Sequence, residues 1–299
     1  CHNAGDYLAQ TLGSVLAQHE PAAEIILVDD ASSDASVAVA ARFGAAVRTV
    51  RVDFGNAPAA RNHGASLASG EAFMFLDADD VLGPTALREL STSLCRYPGA
   101  IALCPWYRLE RAGEDWVRRP PSCEPRRRGQ EPLTAWLGGW YHPPCAVLWS
   151  REAYERVGGW DPAIRVNNDG HIMMRAMARG IPVVVGDVGE SFYRRLPTGA
   201  VSLSATRFSG PGLRARLRVL AEIAQLLARH DRLDAYRQAL AGAYDLLAAD
   251  CGDDHECRAE CRRVARGLGG PGWWRVLRRT PRRLPRQARR LARRLLPRP

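Results

Sequence analysis

The chain contains no lysine: each of its 42 basic side chains is an arginine. A phosphate-binding P-loop needs a lysine in its glycine-rich turn, so that class of nucleotide chemistry is excluded. Long apolar runs are also absent. No stretch approaches the ~20 residues of a membrane-spanning helix, which predicts a soluble or peripheral protein. The eight cysteines form no regular framework and no signal-peptide pattern opens the chain, so reduced thiols and a cytoplasmic place are expected. Cys251, His255, Cys257 and Cys261 suggest a metal site only superficially, because structural zinc motifs are built from sets of paired C-x₂₋₄-C thiols, and zinc is not expected. An initiating methionine is lacking too; a chain that opens Cys1-His2-Asn3 reads as a fragment. Acids are missing from one end, since residues 271 to 299 hold eleven arginines and no Asp or Glu. The net charge of +10 is therefore local, the remainder being 10 − 11 = −1.

What the chain does have is an apolar run of strand length, Phe73-Met74-Phe75-Leu76, that stops in Asp77-Ala78-Asp79-Asp80. A buried strand cannot continue through three carboxylates, so it ends there at the edge of a cleft. Carboxylates so close repel one another unless a cation lies between them, and hard oxygen ligands suit Mg²⁺ or Mn²⁺. The plainer alternative is a solvated turn with Asp80 near the cap of a helix that Pro84 opens. A second strand, Glu24 to Val28, also ends in paired acids, Asp29-Asp30. Leu8, Leu12, Val15 and Leu16 recur at helical spacing, Ser33-Asp34 can cap a helix reaching to about Phe43, Val47 to Val52 reads as a strand, and Ala57 to Ser69 as a helix carrying Arg61 and Asn62. Strand and helix alternate, which predicts an α/β fold, a mostly parallel sheet with helices on both faces and ligands beyond the carboxyl ends of its strands.

In this order the chain resembles the family 2 glycosyltransferases of the GT-A fold. The matching pieces are Asn3-Ala4-Gly5, Val28 to Asp34, Ala59-Ala60-Arg61-Asn62-His63-Gly64, Ser69-Gly70-Glu71 and Phe75 to Asp80. Further on, Val157-Gly158-Gly159-Trp160-Asp161 looks like the family's acceptor-side turn, and Asn167-Asn168-Asp169-Gly170-His171 lies where the family carries its catalytic acid. The resemblance covers about residues 1 to 205. It implies a donor nucleotide sugar, UDP-linked by expectation, bound by Asn3, Asp29, Asp30, Arg61, Asp77 and Arg194. Within that set Asp30 and Arg61 would face the nucleobase, Asp77 the ribose and metal, and Arg194 the phosphates. It also implies Mn²⁺ or Mg²⁺ on Asp79 and Asp77, Asp169 as base, and Trp160 and Asp161 at a saccharide or lipid-linked acceptor. The chemistry implied is inverting hexosyl transfer, with a role in cell-envelope polysaccharide or glycolipid synthesis. Three departures stand out. The central strand that should precede Asn3 is missing, Asn168 stands where many relatives have Glu, and Leu196-Pro197 lies where some offer the metal a histidine.

The expected organisation is a GT-A domain over 1–210, a helical extension over 211–270 and an arginine-rich tail over 271–299. In the extension, Leu213, Leu217, Leu220, Ile223, Leu226 and Leu227 mark one amphipathic helix and Leu233 to Ala249 another. In the tail, Ala288, Leu291, Ala292, Leu295 and Leu296 oppose an arginine face downstream of Trp273-Trp274, the pattern of a helix on an anionic membrane surface. A solvated tail is the alternative. No base-reading module is present, and no nucleic-acid partner is expected. Two other functions compete with transfer. A catalytically inactive binding module at the membrane would suit the missing strand and Asn168. A sugar-phosphate phosphohydrolase would use Asp77-Ala78-Asp79-Asp80-Val81, but it needs its nucleophile on the first core strand and usually a later lysine.

Overall fold

The computed structural model describes residues 1–196 and 203–269. The arginine-rich tail and Pro197 lie outside the described residues. Residues 1 to 119 form α1 (Gly5–Leu16), β1 (Ile26–Asp30), α2 (Ser36–Ala41), β2 (Arg48–Val52), α3 (Ala57–Leu67), β3 (Ala72–Met74), β4 (Val81–Leu82), α4 (Ala86–Arg96), β5 (Ile101–Leu103), β6 (Trp106–Ala112) and β7 (Asp115–Arg119). There follow α5 (Pro132–Leu137), β8 (Val147–Ser150), α6 (Arg151–Val157), α7 (Asn168–Ala178), β9 (Val183–Val185), β10 (Ser191–Arg195), α8 (Gly210–Arg229), α9 (Leu233–Asp250) and α10 (His255–Gly267).

Local chemistry sets the boundaries of these elements. Asn56 caps α3 by accepting the Ala59 N–H at 3.0 Å, and Pro58 sits in its first turn, where the ring costs no hydrogen bond. Ser150 and Ser209 cap α6 and α8 in the same way. The helix after β1 is shorter than the sequence predicts. Asp34 does bond the Ser36 N–H at 2.9 Å, but the helical run it starts ends at Ala41. Strand β3 also stops early, at Met74, because Phe75 turns its ring toward Tyr154 and Trp160.

The strands pair as β1-β2, as β3-β8-β5-β9 and as β4-β10-β6-β7. Three of these neighbour pairs are parallel and four antiparallel, so the sheet is mixed where a mostly parallel one was expected. The cause is β8, which runs antiparallel between β3 and β5, and the β6–β7 hairpin. On the other side of β1 from β2, Asp30 N–H donates to the Cys1 carbonyl at 2.8 Å, so the first residues lie along that strand.

One buried cluster runs from Phe73, Ile101 and Trp149 through Trp136 and Ile172 to Ile223, Leu227, Leu240 and Leu247. Helices α8 to α10 therefore share the core of the preceding α/β layers. Each of these fully buried aliphatic side chains contributes roughly 1.5–3 kcal/mol. Among the described residues, no helix is long and apolar enough to cross a membrane.

Candidate active site

The side chain at the centre of the cleft is Arg61, one and a half turns into α3. Its Nη2 donates to Asp77 Oδ1 at 2.5 Å, and its Nη1 to Asn168 Oδ1 at 2.9 Å and Asp169 Oδ1 at 3.3 Å. The guanidinium also lies over the Trp160 indole, 4.4 Å from the ring centroid. Arg61 thus ties the end of the β3 segment to the start of α7. The resemblance implies that Arg61 faces the nucleobase; here its guanidinium bonds Asp77, Asn168 and Asp169. Burial opposes its charge, but Asp77 and Asp169 more than offset that, and its pKa is raised.

Asp169 opens α7, where the helix dipole favours a carboxylate. Its side chain is 42% exposed and borders a small apolar pocket lined by Phe75, His142, Trp160, Ile172 and Met173. That surrounding raises its pKa to about 6, desolvation first, with Asp77 adding and Arg61 opposing. Only Oδ1 is engaged by Arg61. The backbone leading into the helix is special: Asn167 is left-handed, and a Cβ on Gly170 would lie 2.4 Å from Asn167 Oδ1. A side chain at position 170 would require Asn167 to move. Asn168 is satisfied on both sides, accepting from Arg61 and donating to the Arg165 carbonyl at 2.9 Å.

The three acids of the 77–80 turn have separate fates. Asp80 is fully buried, accepts the Arg194 N–H at 2.9 Å through Oδ1, and leaves Oδ2 without a partner. Burial, then Asp79 and Asp77, push its pKa well above the ordinary carboxylate value. The alternative of a solvated turn with Asp80 near a helix cap is therefore wrong, because β10 covers it. Asp79 makes no ion pair among the described residues. Its pKa is raised to about 6 by burial and then by Asp77. A half-buried carboxylate beside a like charge is relieved by a cation, so Asp79 and the free oxygen of Asp77 are a donor set that fits Mn²⁺ or Mg²⁺.

Arg194 is buried at the same end. Its Nη2 donates to Gln10 Oε1 at 2.6 Å, and the guanidinium lies between the Tyr7 and Trp116 rings, 4.8 and 4.7 Å away. Its Nε has no partner. Burial lowers its pKa, with Asp79 and Asp80 opposing, so it faces the acids of the turn.

The remaining donor-side residues shape backbone. Asp30 accepts the N–H groups of Phe54, Gly55 and Asn56 at 2.6, 3.0 and 2.9 Å. Burial opposes the charge, but these three bonds hold its pKa below the ordinary carboxylate value. Asn3 adopts a left-handed conformation and accepts from the Ser33 and Asp34 N–H groups, which organises the turn after β1. Asp29 is buried with Oδ2 3.7 Å from Arg51 Nε and Oδ1 unpartnered.

On the acceptor side, Trp160 is held by a residue that the sequence reading gave no role. Asn62 Oδ1 accepts the Trp160 N–H at 2.9 Å and the Tyr154 hydroxyl at 2.8 Å, while Asn62 Nδ2 donates to the Trp160 carbonyl at 2.8 Å. Gly159 must be left-handed there, and a Cβ would meet Asn62 Oδ1 at 2.9 Å. Asp161 bonds the Ala163 N–H at 2.8 Å and approaches His171 and Glu222. His171 Nε2 lies 3.1 Å from Glu222 Oε2 but off the line of a hydrogen bond, so its nitrogen is buried and unpartnered. Nothing in the local sequence marks Glu222, which comes from α8.

Known proteins show the same arrangement of motifs and layers. The family model described as Glycosyl transferase family 2 matches residues 1–158. The uncharacterized glycosyltransferase YibD of Escherichia coli (strain K12) is 34% identical over 124 residues, 40% of this chain and 36% of that relative, so only about a third of its length is spanned. Among solved structures, Staphylococcus aureus TarS 1-349 in complex with UDP-GlcNAc superposes with a TM-score of 0.59 at 14% identity over 89% of this chain and 88% of that one. The mannosyltransferase PcManGT from Pyrobaculum calidifontis, in complex with GDP-Man and Mn²⁺, gives 0.51 at 16% identity over 90% and 82%. These likenesses establish the GT-A fold.

Proposed function

The chain belongs to glycosyl transferase family 2, and on that premise we propose that it moves a sugar from a nucleotide diphosphate, UDP by preference, to an acceptor hydroxyl with inversion at the anomeric carbon. The observation that supports the proposal is the Arg61 bridge between Asp77, which we assign to the donor, and Asp169, which we assign to the acceptor. In-line displacement needs the leaving group and the base on opposite faces of the sugar.

Asp169 takes the proton of the acceptor hydroxyl. With a pKa near 6 it is largely ionised at neutral pH yet more basic than an ordinary carboxylate. Arg61 holds it through Oδ1 and leaves the other oxygen for the acceptor. Asp79, with Asp77, would hold Mn²⁺ or Mg²⁺, which supplies charge neutralisation to the leaving diphosphate when bound. The Mn²⁺ of the mannosyltransferase neighbour supports that choice of ion. Arg194 adds positive charge at the same end. Trp160, fixed by Asn62, and Asp161 line the acceptor approach. Asp30 and Asn3 act on the donor through the loops they shape, at residues 54–56 and 32–34. The tail, with eleven arginines and no acid over 271–299, supports attachment to anionic lipid and a saccharide or lipid-linked acceptor of the cell envelope.

The deciding experiment is transfer from a panel of nucleotide sugars by the full chain and by Asp169→Asn. The variant is expected to bind donor normally and to transfer about 10²-fold or more slowly, the range for loss of a general base. Transfer at the parental rate would remove Asp169 from the chemistry. Release of inorganic phosphate from sugar phosphates would favour the phosphohydrolase reading instead.

A further inference from the structure

The corner between α9 and α10 holds three buried thiols that the proposed transfer does not use. Cys251 caps the end of α9, and Cys257 and Cys261 lie one turn apart on α10. Their sulfurs lie within 4.8 Å of one another. His255, the other ligand type in this stretch, is exposed and is not part of the group. In the sequence these cysteines suggest a metal site only superficially, with one C-x₃-C pair and Cys251 six residues before it. Folding of α10 back on α9 is what assembles them.

We propose that Cys251, Cys257 and Cys261 form a three-thiolate site for a thiophilic d¹⁰ cation, Cu⁺ or Zn²⁺. Three sulfurs, with no His, Asp or Glu ligand atom in the group, select soft ions over the Mg²⁺ and Mn²⁺ suited to the carboxylates of the cleft. Cys257 is in the first turn of α10, where its N–H donates to Asp254 Oδ1 at 3.0 Å, which fixes the start of the helix that carries two of the thiols. The three thiols are buried, while Gly252 and Asp253 at the same corner are exposed. Loading exchanges three S–H bonds for three metal–sulfur bonds, sends three protons to solvent and changes no oxidation state. Cys251 presently spends its S–H on the Leu247 carbonyl, 3.2 Å away, a bond that loading gives up. A filled site would pin α10 to α9 and so rigidify the helices that complete the core. The inference is independent of the transfer reaction.

The test uses the full chain with the accessible thiols Cys1, Cys95 and Cys123 changed to Ser, handled without oxygen. Cu⁺ and Zn²⁺ are each offered in a competing chelator, and bound metal per chain is compared with that of the same protein carrying Cys257→Ala and Cys261→Ala. One equivalent of one of these ions is expected in the parent and none in the variant. X-ray absorption of the loaded parent should show a first shell of three sulfurs, and Tm should rise by roughly 5 °C at a hundredfold excess over Kd. Equal metal in both proteins, no binding of either ion, or a first shell of oxygen and nitrogen would overturn the site. The spectrum of the parent decides the matter even where the variant folds poorly.

Discussion

Replacing Arg61 with Met tests whether this arginine tunes the base or binds the donor. Arg61 Nη1 is 3.3 Å from Asp169 Oδ1. Two unit charges at that distance attract by about 5 kcal/mol at an effective dielectric of 20. Asp169 is 42% exposed, and solvent screening cuts the figure roughly two- to fourfold, to about 1–2.5 kcal/mol. At ~1.4 kcal/mol per unit, loss of the guanidinium should raise the Asp169 pKa by about one to two units. The sign follows from the role: a base works ionised, so raising its pKa moves the acidic limb of the rate profile to higher pH. The wild-type limb is expected near 6, and that of Arg61→Met between about 7 and 8, with the rate largely recovered at alkaline pH. The measurement is kcat/KM against pH at saturating metal, supported by carboxyl ¹³C shifts of Asp169 in both proteins. An unmoved limb combined with a raised donor KM would refute the reasoning and return Arg61 to the nucleotide.

Three other outcomes are expected. Asp79→Ala should abolish nucleotide-sugar turnover and excess EDTA should do the same to the parent, whereas turnover undiminished in EDTA would dismiss the metal. Asn62→Ala removes three hydrogen bonds around Trp160 and should cost about 1–3 kcal/mol, read as a Tm lower by a few degrees; an unchanged Tm with unchanged Trp160 fluorescence would show that the turn holds itself. For the tail, a chain ending at Gly270 should lose sedimentation with anionic vesicles at low salt, while the full chain loses it as salt rises, at ~1 kcal/mol per arginine near the surface; equal binding by both would exclude the tail as anchor.

The GT-A layers and the acidic turn were legible because they are local. An apolar run that ends in carboxylates, a small-residue helix and glycines next to polar residues each state their own conformation. Strand direction was not legible, since Val147 to Ser150 is equally apolar whichever way it runs, and β8 turned out antiparallel between its neighbours. Partners were the other gap. Nothing around Arg61 in the sequence announces its partners, because residues 107 and 108 positions away come to meet it. Asp80 reads as a cap until β10 covers it. The three thiols of the last corner read as only a superficial metal pattern because their meeting depends on how two helices fold together.

The long reach of these bonds has a consequence for how the protein is made. Arg194 joins the acidic turn through Asp80, 114 residues earlier, and α1 through Gln10, 184 residues earlier. A growing chain that has passed residue 158 already carries both acidic strand ends, yet it has neither the α7 acid that meets Arg61 nor the strand that shields Asp80. Until about residue 195 has left the ribosome, those carboxylates are an unclosed concentration of like charge. Contacts this distant in sequence form late and slowly. Synthesis should therefore release a chain whose donor half is shaped early and whose reactive centre is assembled last.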